Sequence, residues 1–196
     1  MGYLLGLQEY MDESYNLSIF DQVFSSKQLY EFHVHTHRTI RAKIIENLTY
    51  DLKINIKAAG NELLPKTHVK FLYPEELAET VRPLLRTDKK TGDLGLEPMP
   101  SPQKRHHIKN KTLFPLMKEG RVLLFTLLEG EIIKGIITGF NRYEITVGLK
   151  GGLPITVLRH AVFDLRDKKG RCFLKSFQEG RRDWERCPLF VASPPG

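Results

Sequence analysis

Three histidines offer the first chemistry in this chain. His33, His35 and His37 alternate with Val34 and Thr36, so on a strand of period two all three project from one side. Neutral imidazoles in a row suit zinc, copper or nickel. Strand residues two apart are spaced roughly 6.5 Å, and no carboxylate or thiol in the stretch completes an evident shell. A solvated strand face and a face contacting nucleic acid are therefore the competing readings. A second basic group runs from Lys104 through Arg105, His106, His107 and Lys109 to Lys111; it reads as a phosphate-holding segment or as a charged, solvated linker. Cys172 and Cys187 lack the paired short spacings of a zinc site. No nucleophile motif, phosphate loop or plausible carboxylate pair accompanies them. The expectation is a protein without catalysis and without a cofactor.

The elements that must position these groups are those of an ordinary globular protein. Of 196 residues, 41% are hydrophobic and 27% charged, which excludes a disordered or fibrous chain. No apolar run approaches the roughly 18 to 20 residues that span a bilayer, and acidic residues come too early for a secretory leader, so a cytoplasmic location without membrane attachment is expected. The net charge of +7 favours polyanionic partners.

The chain repeats itself. Sliding residues 20–73 along the sequence puts Phe32 on Phe125, Ile40 on Ile133, Ile44 on Ile137 and Tyr50 on Tyr143. After one extra residue in the first repeat, Gly60 falls on Gly152, His68 on His160 and Phe71 on Phe163. Each repeat opens with apolar residues at i, i+3 and i+4, Phe20, Val23 and Phe24 and then Leu113, Leu116 and Met117, a helical face. Alternating β-branched and polar residues follow, giving five short strands. In the second repeat these are 122–128, 132–141, 143–150, 153–158 and 161–164. Glu129-Gly130 and Gly151-Gly152 supply tight turns, and Gly135 and Gly139 permit a sharp bend in the long second strand.

The second repeat, over residues 113–166, resembles Hfq, the bacterial branch of the Sm-like family. The likeness lies in residues 130–143, similar to the family's bent second strand and aromatic turn, and in Arg159-His160-Ala161, similar to its Lys-His-Ala signature. The first repeat is related only through the second. The resemblance implies a mainly β fold: two tandem Sm-like (SH3-type) five-stranded bent barrels, each preceded by a short α-helix. It also implies rings made by edge-to-edge pairing of the last two strands, and recognition of uridine-rich or adenine-rich RNA. By carry-over Tyr143 stacks on a base, while Arg159 and His160 contact base or phosphate. Physical chemistry agrees that an aromatic plane beside cations, here Tyr143 with Arg142, Arg159 and His160, is what single-stranded RNA requires.

Three departures mark the second repeat: Leu158 replaces the tyrosine before Lys-His, Arg142 the glutamine of the aromatic turn and Thr126 the tyrosine of the opposite face. That puts the adenine-binding face in doubt. In the first repeat Tyr50 and His68 are kept, but Thr67 stands at the basic position and Lys66 one place earlier, pointing to a weakened site. The tyrosines also read as caps on a small core.

The division expected is a first barrel at 16–73, a charged linker with several prolines at 74–110, a second barrel at 111–166 and a basic, mobile tail at 167–196. The function expected is single-stranded RNA binding as an RNA chaperone or post-transcriptional regulator, in a homo-oligomer whose three chains make a ring of six barrels. The alternative is a protein-interaction scaffold that kept the fold and lost most RNA contacts.

Overall fold

A computed structural model describes residues 2–57 and 59–192. In chain order the strands are β1 (Tyr3–Leu4), β2 (Tyr30–Val34), β3 (Arg38–Asn47), β4 (Asp51–Ile56), β5 (Gly60–Pro65), β6 (Val69–Pro74), β7 (Arg86–Thr87), β8 (Val122–Leu127), β9 (Glu131–Phe140), β10 (Glu144–Gly148), β11 (Pro154–Leu158), β12 (Val162–Asp167) and β13 (Phe190–Val191). The helices are α1 (Leu7–Ser14), α2 (Ile19–Ser26), α3 (Ala78–Val81), α4 (Lys89–Gly92), α5 (Asn110–Lys118) and α6 (Lys175–Arg181). Among the described residues no helix is long and apolar enough to cross a membrane.

Alternation of side chains builds the sheet. In β3, Ile40, Ala42 and Ile44 are buried while Arg41 and Lys43 face solvent, the pattern of a strand with one face on a core. Eleven strands, all of those named but β1 and β13, join in one antiparallel sheet ordered β12-β8-β9-β10-β11-β6-β2-β3-β4-β5, with β7 beside β9. The two expected units are thus spliced into a continuous sheet, and no sheet closes on itself.

Each repeat has the same pairing order, its last strand against its first, and the correspondence runs at a single offset of 93 residues. His33 faces Phe71 as Thr126 faces Asp164, Ile44 faces Ile54 as Ile137 faces Val147, and Asp51 faces Pro65 as Glu144 faces Leu158. Even the register shifts recur. The one-residue slip read from the sequence is therefore not present in the backbone. Gly60 matches Leu153, Lys66 matches Arg159 and His68 matches Ala161. The backbone confirms this: Lys66 N–H donates to Tyr50 O as Arg159 N–H does to Tyr143 O, and His35 N–H to His68 O as Leu128 N–H does to Ala161 O.

Two apolar clusters form, one per repeat. They interlock at the seam, where β11 lies on β6 with Thr156 opposite Leu72 and Val157 opposite Phe71. Leu158 of β11 packs into the first cluster, while Phe71 and Tyr73 of β6 pack into the second.

Gly135 in β9 is required by close approach: a Cβ there would lie 2.5 Å from Gly148 O and 2.5 Å from Val147 Cγ1. Gly135→Ala is expected to cost about 1–3 kcal/mol, the usual range for overpacking, read as a lowered thermal midpoint. A midpoint equal to that of the parent would show that β10 yields freely.

Residues outside the repeats are more structured than their charge suggests. Beyond β6, three successive helical turns, Glu75–Leu77, α3 and Arg82–Leu84, bury Ala78 and Val81, with Pro83 in the last of them. The tail expected to be mobile also packs. Cys172, Phe173, Leu174 and Gln178 are buried, β13 pairs with β1, and Arg166 bridges Cys172 across strands. Its apolar residues, diluted among lysines and arginines, join the core of the second repeat. Residues 193–196 lie outside the described residues.

Candidate nucleic-acid interface

The aromatic turn is built by one asparagine. Asn141 Oδ1 accepts the N–H groups of Tyr143 (2.8 Å) and Glu144 (2.9 Å), an Asx turn that holds the Tyr143 ring at 55% exposure. The Arg142 guanidinium lies 5.4 Å from the centre of that ring. Glu144 anchors the turn from below. Its buried carboxylate accepts Asn141 Nδ2 (2.7 Å) and the Ile19 N–H (2.9 Å) at the start of α2, and burial raises its pKa against these bonds.

Arg159 and His160 are nearby, but both are committed to structure. The Arg159 guanidinium donates to Asn141 O (2.8 Å), Asn110 Oδ1 (3.0 Å) and Ile108 O (2.5 Å), and burial lowers its pKa. His160 is buried, and its Nε2 donates to Val69 O of the first repeat at 2.9 Å. Arg159 thus forms a brace under the turn and His160 a bond across the seam.

These residues line a cleft of about 790 Å³. Its walls come from α1 through Leu7, Gln8 and Met11, from the segment before α5, from the Tyr143 turn and from Lys175. Arg105, Lys109, Lys111, Arg142, Arg159 and Lys175 line it with His106, His107 and His160, and among the described residues no Asp or Glu does. The basic segment singled out in the sequence is therefore one wall of the cleft. Its members are placed individually: Arg105 donates to Met99 O and Pro100 O, His106 sits edge-on against Phe163, and Lys111 lies over Trp184. Sequence reading missed α1 as a wall. Tyr10 of that helix bridges the Phe140 N–H (2.7 Å) and C=O (2.8 Å) through its hydroxyl, a contact that the apolar spacing of Leu7, Tyr10 and Met11 hints at.

The first repeat presents Tyr50 at 80% exposure. Lys66, not Thr67, occupies the place of Arg159, and its ammonium donates to Leu48 O and Thr49 O. His68 is exposed and meets His35 edge-on, ring centres 6.3 Å apart. Tyr50 and His68 thus do not form a copy of the second site.

The histidine row does not form either, because β2 ends at Val34. His33 stacks on Phe71 and bonds Tyr73 Oη (2.9 Å) and Glu31. His35 is buried, its ring nitrogens without a hydrogen bond and its Nδ1 3.8 Å from Glu129 Oε1. His37 is in the turn with φ 54°, where the N–H groups of Thr36 and His37 donate to Glu129. His37, Glu129 and Glu131 place one ligand atom each within 4.8 Å, but Lys70 already bridges both carboxylates.

No family model matches the chain, and no curated protein matches it.

Proposed function

We propose that the chain is a non-enzymatic binder of single-stranded RNA, an RNA chaperone or post-transcriptional regulator of the Hfq-like kind, built from two Sm-type units. One observation carries this reading: an exposed tyrosine with an arginine against its ring, at the rim of a cleft whose charged lining is wholly cationic among the described residues. Stacking supplies sequence-tolerant affinity and cations supply phosphate attraction. The strand order of each repeat and its leading helix support the Sm-type reading.

Tyr143→Ala is expected to weaken labelled oligo-U binding about 5- to 150-fold, the range of about 1–3 kcal/mol for one stacked base. Replacing Lys109 and Lys175 by alanine should flatten the salt dependence of log K by about 1.4 for two lost phosphate contacts. Failure of the parent protein to bind oligo-U or oligo-A at low salt would refute the proposal.

A second reading, a protein-interaction scaffold on the same fold, is favoured by the internal commitment of Arg159 and His160. It predicts that Tyr143→Ala and Arg142→Ala leave RNA affinity unchanged.

A further inference from the structure

The sheet ends at β12 on one side and at β5 on the other. The seam inside the chain shows how such edges fit: Thr156 and Val157 of β11 lie opposite Leu72 and Phe71 of β6. At the offset of 93 the equivalents of Thr156 and Val157 are Leu63 and Leu64 of β5, and those of Leu72 and Phe71 are Leu165 and Asp164 of β12. The β5 edge of one copy therefore matches the β12 edge of another. Leu63 is 58% exposed where Thr156, covered at the seam, is 7% exposed.

The β12 edge is already taken. Residues 171–173 run antiparallel along it, with Arg166 opposite Cys172, Phe173 N–H donating to Leu165 O (2.8 Å) and Asp167 N–H to Arg171 O (3.1 Å). Leu165 is the residue that Leu63 of a second copy would face. We propose that this C-terminal segment is a built-in strand that competes with β5 of a second copy for the edge of β12, so that chains join only when it is released.

The groups that strengthen the seam are missing from the junction between chains, which favours the segment. In the seam, Lys70 bridges Glu129 and Glu131, Glu129 caps the turn at Thr36, and His160 bonds Val69 O. Between chains the equivalents of Lys70, Glu129 and His160 are Phe163, Thr36 and Thr67, which supply neither the ion pairs nor the imidazole bond. The segment itself is held by burial of Cys172, Phe173 and Leu174. It turns back through Gly170, whose φ of 80° is one that a β-branched residue resists.

The inference rests on the equivalence of the two repeats as ring-forming units; its test uses no RNA, so it fails or stands apart from RNA binding. In the full chain carrying Cys187→Ser, Gly170→Val is expected to raise the rate at which Cys172 is alkylated and to move the mass from one chain to multiples of it at rising concentration, by light scattering. Arg166→Cys, added to the same background, places a thiol directly opposite Cys172, in a cross-strand pair whose usual Cα spacing suits a disulfide. The oxidised form should stay a single chain at every concentration, with or without Gly170→Val. Phe173→Asp serves as a second release variant if valine leaves Cys172 protected. Assembly of the oxidised form to the mass of the released form would overturn the proposal, as would a released, folded chain that remains single.

Discussion

Acidification from pH 6.5 to about pH 4 is expected to destabilise the protein strongly and lower its thermal midpoint. Three histidines drive this, His35 and His160 buried and His33 half-buried, each with its pKa lowered from 6.5 to about 4, in every case chiefly by desolvation. Around His33, Glu31 opposes that shift, while Lys70 and Arg82 add to it. Around His35, Glu129 opposes, and Lys70, His68 and His37 add. Around His160, Arg105 and His35 add, and the bond to Val69 O opposes. Between the folded and unfolded values the unfolded chain holds more protons, so stability is full above about 6.5 and falls as the pH drops towards 4. Each histidine accounts for up to about 3 kcal/mol, a sizeable part of the roughly 5–15 kcal/mol stability of a typical domain, while Glu144, whose pKa burial raises, works in the opposite sense.

Glu31 acts lower on the scale. Burial alone would raise its pKa, but bonds from Arg82, Tyr73 and Arg41 hold it at about 2. Its stabilisation is present above the ordinary carboxylate value of 4.5 and is lost as the pH falls towards 2. Circular dichroism and thermal midpoints across this range measure both effects, and an unchanged midpoint at pH 4 would contradict the first.

What the sequence made legible is what strand alternation encodes. The repeat, its leading helices and the five strands of the second copy came from apolar residues at periods two and 3.6, and those periods are local. Register is less local. Matching Gly60 to Gly152 and His68 to His160 by identity shifted the first repeat by one residue, although pairing between strands, not identity, sets which residue is equivalent. The consequence is chemical: identity puts Thr67 at the basic position, whereas strand pairing puts Lys66 in the place of Arg159.

The histidine row failed for a related reason. Thr36 and His37 adopt positive φ because their N–H groups meet Glu129, far along the chain, and that contact bends the strand away from a straight row. The tail hides its structure in another way. Cys172, Phe173, Leu174 and Trp184 were visible in it, and only their basic neighbours hid an apolar segment able to finish the second core.

Replacing Lys70 by methionine is expected to destabilise the protein by about 3–5 kcal/mol, the cost of breaking a buried charge cluster from one side. Lys70 is 1% exposed, and its ammonium touches both Glu129 and Glu131. Methionine keeps most of the volume and removes the charge. Two carboxylates, 12% and 16% exposed at their side chains, then face each other without a counter-ion. Glu129 also accepts the N–H groups of Thr36 and His37, so its repulsion from Glu131 loosens the seam between the repeats. Urea unfolding at neutral pH should show a lowered midpoint that salt restores poorly, because the cluster is screened little by solvent. Lys70→Met combined with Glu129→Gln and Glu131→Gln should recover most of the loss, since no charge is left unpaired. A triple variant whose midpoint stays as low as that of Lys70→Met alone would mean instead that the lysine stem, not its charge, holds the seam.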